Sequence, residues 1–195
     1  MTTEPRARTR LDPAVRRRQI AEAAARVFAE HDPSEVSFEA VAEEAGVSRS
    51  LVYSYFGDRG SLFAAAYTCE MTRLDAEIDG ALEKLGNNRD RLDQAVRAYL
   101  RFAARHRERW NLIVSAGSSR HPAVRDAIAA RTDRIADSLG GSAEAKLLVS
   151  GVIGMLEAAA VHVLEDAADP DELADLLTQV IWAGVSSFVP EEAED

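Results

Sequence analysis

Cysteine is almost absent from this 195-residue chain, Cys69 being the only one. A single thiol cannot close an intramolecular disulfide or supply a thiolate metal cluster. That excludes a disulfide framework and zinc-finger chemistry, and makes a reducing, cytoplasmic setting the expectation. Cys69 itself reads either as a small buried hydrophobe in an alanine-rich helix or as a redox sensor. Only four histidines occur, His31, His106, His121 and His162, and they form no H-E-x-x-H pattern; no glycine-rich phosphate loop is present. Catalysis has no visible equipment, so the chain is read as a non-enzyme without metal or cofactor. His162 and Glu165 stand at i and i+3, where a helix-end polar pair is the simpler alternative to a metal site. Long apolar runs are also missing: the longest uncharged stretch, residues 176–190, is 15 residues and contains Thr178, Gln179, Ser186 and Ser187. A membrane span needs roughly 20 apolar residues, so no membrane contact is expected. The first ten residues carry charge with no apolar segment behind them, which predicts no secretory leader. Positive charge is scarce, with 23 Lys plus Arg against 33 Asp plus Glu and a net charge of −10. Taken over the whole chain, that balance argues against a nucleic-acid partner, because phosphates attract basic surfaces.

What is present is helix-forming sequence. Hydrophobic residues make up 47% and charged residues 29%, enough apolar material for a real core. The few prolines and glycines punctuate stretches rich in Ala, Leu, Arg and Glu. The reading is all-α with about nine helices. Asp12 and Pro13 start the first, in which Ile20, Ala24, Val27 and Phe28 repeat at helical spacing until His31-Asp32-Pro33. Two short helices follow: Phe38, Val41, Ala42 and Ala45 form a stripe ending at Gly46, and Ser48 caps a second helix carrying Val52, Tyr55 and Phe56 on its buried side. Six longer segments are expected at about 61–85, 90–106, 108–116, 122–139, 142–165 and 170–188.

Residues 38–56 meet the spacing of a helix-turn-helix. Gly46 can take the left-handed turn, and Val41, Ala45, Val47 and Val52 fill the space between the helices. The outward side of the second helix then presents Arg49, Ser50, Tyr53 and Ser54, groups that hydrogen-bond to base edges or phosphates in a major groove. The competing reading is a compact αα-corner in which Tyr53 and Tyr55 are packing aromatics.

The stretch Val41-Ala42-Glu43-Glu44-Ala45-Gly46-Val47-Ser48, continuing through Tyr53-Ser54-Tyr55-Phe56 to Arg59 and Leu62-Phe63, resembles the amino-terminal DNA-binding domain of TetR-type transcriptional regulators (TetR/AcrR). The likeness covers about residues 16–67. It implies a three-helix helix-turn-helix domain over residues 1–60, followed by a helical ligand-binding and dimerisation bundle over 61–195. It also implies that Ser37 caps the second helix near the phosphate backbone, that Ser48, Arg49, Ser50 and Tyr53 face DNA, that Tyr55 lies at the groove edge, and that Arg59 meets a phosphate. Two departures stand out. Gly60 replaces a better helix former, which predicts a late or flexible start to the fourth helix. Arg59 replaces the usual lysine and changes the donor geometry.

Charge is uneven along the chain. Residues 1–20 hold six arginines against Glu4 and Asp12, a balance of +4 that leaves −14 for the remainder. Arg6, Arg8 and Arg10 fit a DNA-contacting arm or a solvated leader. In the bundle, Tyr99, Phe102, Trp110, Ile113, Met155 and Trp182 are candidates to line a pocket for an apolar or aromatic effector, or simply core. Ser150, Gly154 and Ala158 make a narrow seam that faces either the last helix or a second subunit. The expected whole is a cytoplasmic, homodimeric, ligand-responsive repressor of a near-palindromic double-stranded operator. An all-helical interaction scaffold without specific DNA binding is the alternative.

Overall fold

The computed structural model describes residues 11–82 and 87–186, and among them the chain forms nine α-helices and no strand. The arginines at 6, 8 and 10 and the acidic end fall outside these residues. Helix α1 (Pro13–Glu30) starts where expected: the Asp12 carboxylate accepts the Ala14 N–H at 2.7 Å, and Pro13 sits in the first turn. Its buried residues, including Ile20, Ala23, Ala24 and Phe28, occupy most of its circumference. The reason is that α2 (Phe38–Ala45), α4 (Arg59–Leu82) and α6 (Arg107–Gly117) all pack on it, and alanines let them come close. Phe28 meets Phe63 of α4 edge-on at 4.9 Å between ring centroids, a geometry worth about 0.5–1.5 kcal/mol beyond its area.

Helix α4 is the spine, 24 residues and about 36 Å long. It begins at Arg59, two residues before the expected start, so the anticipated division at residue 60 falls inside its first turn. The cause is Asp58, whose carboxylate accepts the Ser61 N–H at 2.8 Å and the Ser61 hydroxyl at 2.8 Å. A cap worth ~1 kcal/mol offsets the similar helix-propensity loss at Gly60.

Helix α5 (Asn88–Arg105) buries Val96, Tyr99, Leu100 and Ala103 along one stripe and packs between α4, α8 (Ala143–Leu164) and α9 (Pro170–Val185). Arg97 and Arg101 bind it to α9. Arg101 grips Asp171 with two hydrogen bonds of 2.9 and 3.0 Å, and Arg97 bridges Asp93 to Asp175. Arg101 and Arg97 hold the Asp171 carboxyl below its ordinary value. On α6, Arg107 reaches the last carbonyls of α8 and pairs with Asp166, a favourable place for a cation. Helix α7 (Pro122–Asp137) sends Arg131 and Arg134 to Asp75 of α4.

Helix α8 corrects the reading of apolar runs. Its 22 residues are long and apolar enough to cross a membrane by length and composition, yet only 28% of its most apolar stretch is buried. Lys146 and Glu157 interrupt it, so its apolar length does not stand out as an uncharged run. Leu147 is 74% exposed on α8, and Leu176 and Val180 are exposed on α9.

Candidate nucleic-acid interface

The site is built from α2, a tight turn and α3 (Arg49–Phe56). Ser37 caps α2 by accepting the Ala40 N–H at 3.1 Å. Gly46 ends it in the left-handed conformation, φ 64° and ψ 37°, while the Val47 N–H reaches back to the Ala42 carbonyl at 2.9 Å and the Gly46 N–H to Glu43 at 3.1 Å. That is the Schellman pattern, which satisfies carbonyls that would otherwise be orphaned. Nothing lies within 4 Å of where a Cβ on Gly46 would sit, so the demand for glycine is conformational. Gly46→Ala is therefore expected to lower the unfolding free energy by about 1–2 kcal/mol, read from urea unfolding; an unchanged midpoint would refute that account of the turn.

Ser48 then caps α3, its Oγ accepting the Leu51 N–H at 3.2 Å. Val52 and Phe56 point inward, while Arg49, Ser50, Tyr53 and Ser54 share the exposed side. Position and chemistry combine here as the sequence suggested. The Ser50 hydroxyl lies 3.0 Å from that of Ser48, and Ser54 donates to the Leu51 carbonyl at 2.8 Å, so these hydroxyls come to a partner already ordered. Tyr53 is 61% exposed, and its ring is steadied edge-on against Phe38 at 5.9 Å. Arg49 has no hydrogen-bond or ion-pair partner among the described residues.

Tyr55 does not share this side. It is half-buried, and Arg17 of α1 donates to its backbone carbonyl at 2.7 Å while stacking 4.4 Å over the Phe56 ring. Arg59 is exposed at the start of α4, where it donates to the Ser34 carbonyl of the loop before α2. Its remaining guanidinium donors are available to a phosphate. Asp32 holds that loop by accepting the Ser34 N–H and hydroxyl at 2.7 and 2.5 Å, and these bonds, with a smaller effect of Arg59, keep its carboxyl below the ordinary range.

Bracing from α1 was not foreseen. Besides Arg17, Gln19 donates to the Ala45 carbonyl at 3.0 Å and Arg26 pairs with Glu44 at 2.5 Å. The basic run at 16–18 was visible only as charge. Nothing in the sequence says which arginine turns inward.

Four of the six expected pocket residues come together in the body. Tyr99 meets Trp110 at 5.2 Å and Phe102 meets Trp110 at 6.5 Å, with Ile113 buried in the same cluster. Met155 does not join them, because α8 turns Leu156 inward and leaves Met155 exposed; Trp182 is half-buried on α9. The charges of Arg131 of α7 and Glu157 of α8 act on both Tyr67 of α4 and Tyr99 of α5, which the sequence did not reveal. Burial pushes both phenols up, and pushes the Glu157 carboxyl up against the opposing pull of Arg131. Burial, with help from Glu70, also raises the Cys69 thiol, which favours its packing reading over a reactive thiolate. An open cleft of about 450 Å³ between α5 and α9 is lined by Arg89, Asp90, Asp93, Asp175, Thr178 and Gln179, none of them from the aromatic set. Ser150, Gly154 and Ala158 are all exposed, so α9 does not cover that seam.

Residues 20–66 match the family model for bacterial regulatory proteins of the tetR family, and residues 88–184 match that of the tetracyclin repressor-like C-terminal domain. Among curated proteins, the chain is 26% identical over 182 residues to the HTH-type transcriptional activator FasR of Mycolicibacterium smegmatis, covering 88% of this chain and 83% of that one. It is 34% identical over 84 residues to the HTH-type transcriptional regulator HbdR of Aromatoleum sp., covering 43% of this chain and 37% of that one. A solved TetR-like transcriptional regulator from Rhodococcus sp. RHA1 superimposes with a TM-score of 0.65 and 28% identity, over 91% of this chain and 99% of that one. The two matched segments together span most of the chain; the first ends within α4 and the second begins with α5. The chain belongs to the tetR family of bacterial regulatory proteins, a family of DNA-binding transcriptional regulators and not of enzymes.

Proposed function

We propose that this regulator acts as a homodimer on a near-palindromic operator, each α3 laying Arg49, Ser50 and Tyr53 into a major groove while Ser37 and Arg59 meet the flanking phosphates. The observation that carries the reading is the outward side of α3: an arginine unpartnered among the described residues and a steadied, exposed tyrosine, on a helix whose other side buries Val52 and Phe56. Two such helices reach half-sites one helical turn, roughly 34–36 Å, or a multiple apart.

The second copy is supported by the exposed apolar surface of α8 and α9. Leu147, Met155 and Val161 on α8, with Leu176 and Val180 on α9, flank the small residues Ser150, Gly154 and Ala158. A seam of small side chains lets helices approach closely, and burying large apolar ones supplies about 25 cal/mol per Å². This arrangement accounts for the low burial of α8 without a membrane.

In this reading the body begins after the first turn of α4 and holds the effector site. The ligand class it suits is a small molecule with an apolar part against Tyr99, Phe102, Trp110 and Ile113 and a polar end toward Arg131 and Glu157. Because those rings are packed, such a ligand acts by favouring a different arrangement of the helices around α4. Only its preference for that arrangement moves the equilibrium, about 1.4 kcal/mol per tenfold difference in affinity. We assign the unliganded form to operator binding, making the protein a repressor; FasR bears the name of an activator, so the sign is read directly from a reporter gene.

Selection of genomic fragments by the purified protein, followed by sedimentation of free and bound forms, tests the proposal. It expects two-fold symmetric fragments, a dimer in both states, and affinity that falls steeply as salt rises through counterion release. Failure to enrich any duplex, or salt-independent binding, would overturn it in favour of an interaction scaffold.

A further inference from the structure

Gly60 marks the place where the body touches the reading head. A Cβ at this position would fall far inside contact distance of the His121 imidazole, against its Cγ, Cδ2 and Nε2 atoms. His121 comes from the turn joining α6 to α7, and its ring lies on the backbone of the first turn of α4 where a side chain would normally stand. There Nε2 is 3.1 Å from the Asp58 carboxylate, the group that caps α4 through Ser61. Arg59, the neighbour of Asp58, is tied to the loop before α2. The Nδ1 atom is buried without a partner. A ring placed for solubility alone would turn that nitrogen to water, and a buried polar atom left unpaired in a native structure calls for a reason. His121 makes no side-chain cap for its own helix either.

Helix α7 runs beside α4, touching it through His121 at one end and through Arg131 and Arg134, which bind Asp75, further along. The same Arg131 senses Tyr67, Tyr99 and Glu157. Ion pairs thus tie α7 and the turn before it to α4 at two places, Asp75 and the residue before Arg59.

We infer that His121 is a positioning residue for DNA binding: seated in the notch left by Gly60 and donating to Asp58, it fixes the first turn of α4, and with it Arg59 and α3, in one orientation relative to the body. This rests on the operator-binding reading above. It also explains why a poor helix former occupies position 60, since any side chain there would expel the ring.

The test measures operator affinity by fluorescence anisotropy with the full-length dimer and a selected genomic fragment. Gly60→Ala and His121→Ala are each expected to weaken binding at least tenfold, with the dimer and its helical content retained. Combined, they should cost no more than either alone, because both remove one contact. His121→Gln keeps an Nε2 donor on a flexible chain, so it should bind within about twofold of the parent. It should also restore Gly60→Ala, since the longer amide can pass around the new methyl. Recovery by glutamine separates positioning through Asp58 from loss of packing. Wild-type affinity in Gly60→Ala and His121→Ala would overturn the inference while leaving operator binding intact; so would additive losses or failure of the glutamine variants. A parent protein that binds no fragment would instead sink the reading on which it rests. Should Gly60→Ala fail to fold, the half-exposed His121 variants decide the matter alone.

Discussion

Arg109→Ala is expected to lower the unfolding free energy by about 3–5 kcal/mol, the range for leaving one member of a buried ion pair without its partner. Glu70 on α4 is 0% exposed. One of its carboxylate oxygens accepts from Arg109 at 2.7 Å, Arg73 stands 3.9 Å away, and the other oxygen has no partner. Without Arg109, the carboxylate keeps only the more distant Arg73, in a junction closed by α1, α4 and α6. Against a typical total of 5–15 kcal/mol that loss is large. The converse change should be milder: Glu70→Leu frees an arginine whose side chain is 26% exposed and can turn toward water. Replacing both, as Glu70→Leu with Arg109→Met, is expected to fall near the parent, because well-packed apolar pairs match buried ion pairs in many proteins. Urea unfolding of the three variants checks the order. A loss below 1 kcal/mol for Arg109→Ala would show that the junction admits water.

Arg49→Ala should have the largest effect on operator binding. A good arginine contact to a base edge contributes about 1–3 kcal/mol, and in a symmetric dimer each substitution acts twice, giving about 2–6 kcal/mol, from roughly 30-fold to more than 10⁴-fold. The protein itself should lose little stability, because Arg49 has no hydrogen-bond or ion-pair partner among the described residues and the Ser48 cap remains. Salt dependence then separates two roles. If Arg49 reads bases, the salt slope stays and specificity at one position per half-site relaxes; if it binds phosphate, all sequences weaken alike and the slope falls by about one per half-site. Affinity unchanged by Arg49→Ala would remove α3 as the reading element.

The acidic composition first pointed away from DNA, and the resolution lies in placement. Along α3 the outward side carries Arg49 and hydroxyl groups and no acidic residue. Elsewhere arginines are used internally: Arg97, Arg101, Arg109, Arg131 and Arg134 pair across helices, and Arg107 pairs with Asp166 just beyond α8. Whole-chain charge mixes these structural pairs with the few cations that face outward, so it misjudges the partner.

Some features were legible because their causes are local. Asp12, Ser37 and Ser48 each cap the helix that follows by binding an N–H two or three residues on, and Gly46 supplies a backbone angle other residues resist. Such interactions are complete within one turn of chain. The start of α4 was misplaced because helix propensity at Gly60 was weighed without the Asp58 cap. Met155 was misassigned because the phase of α8, apolar on nearly every side, is set by which neighbours cover it.

The sequence by itself determined an all-helical chain, a helix-turn-helix, and which side of α3 faces outward, since capping, turn conformation and helical periodicity act over a few residues. Tertiary structure alone decided that Arg109 neutralises Glu70, that His121 fills the space above Gly60, that Arg131 binds Asp75, and that the seam on α8 stays uncovered. Each of those depends on residues far apart in the chain, brought together by the packing of helices whose amphipathic patterns permit several partners and whose volumes allow one.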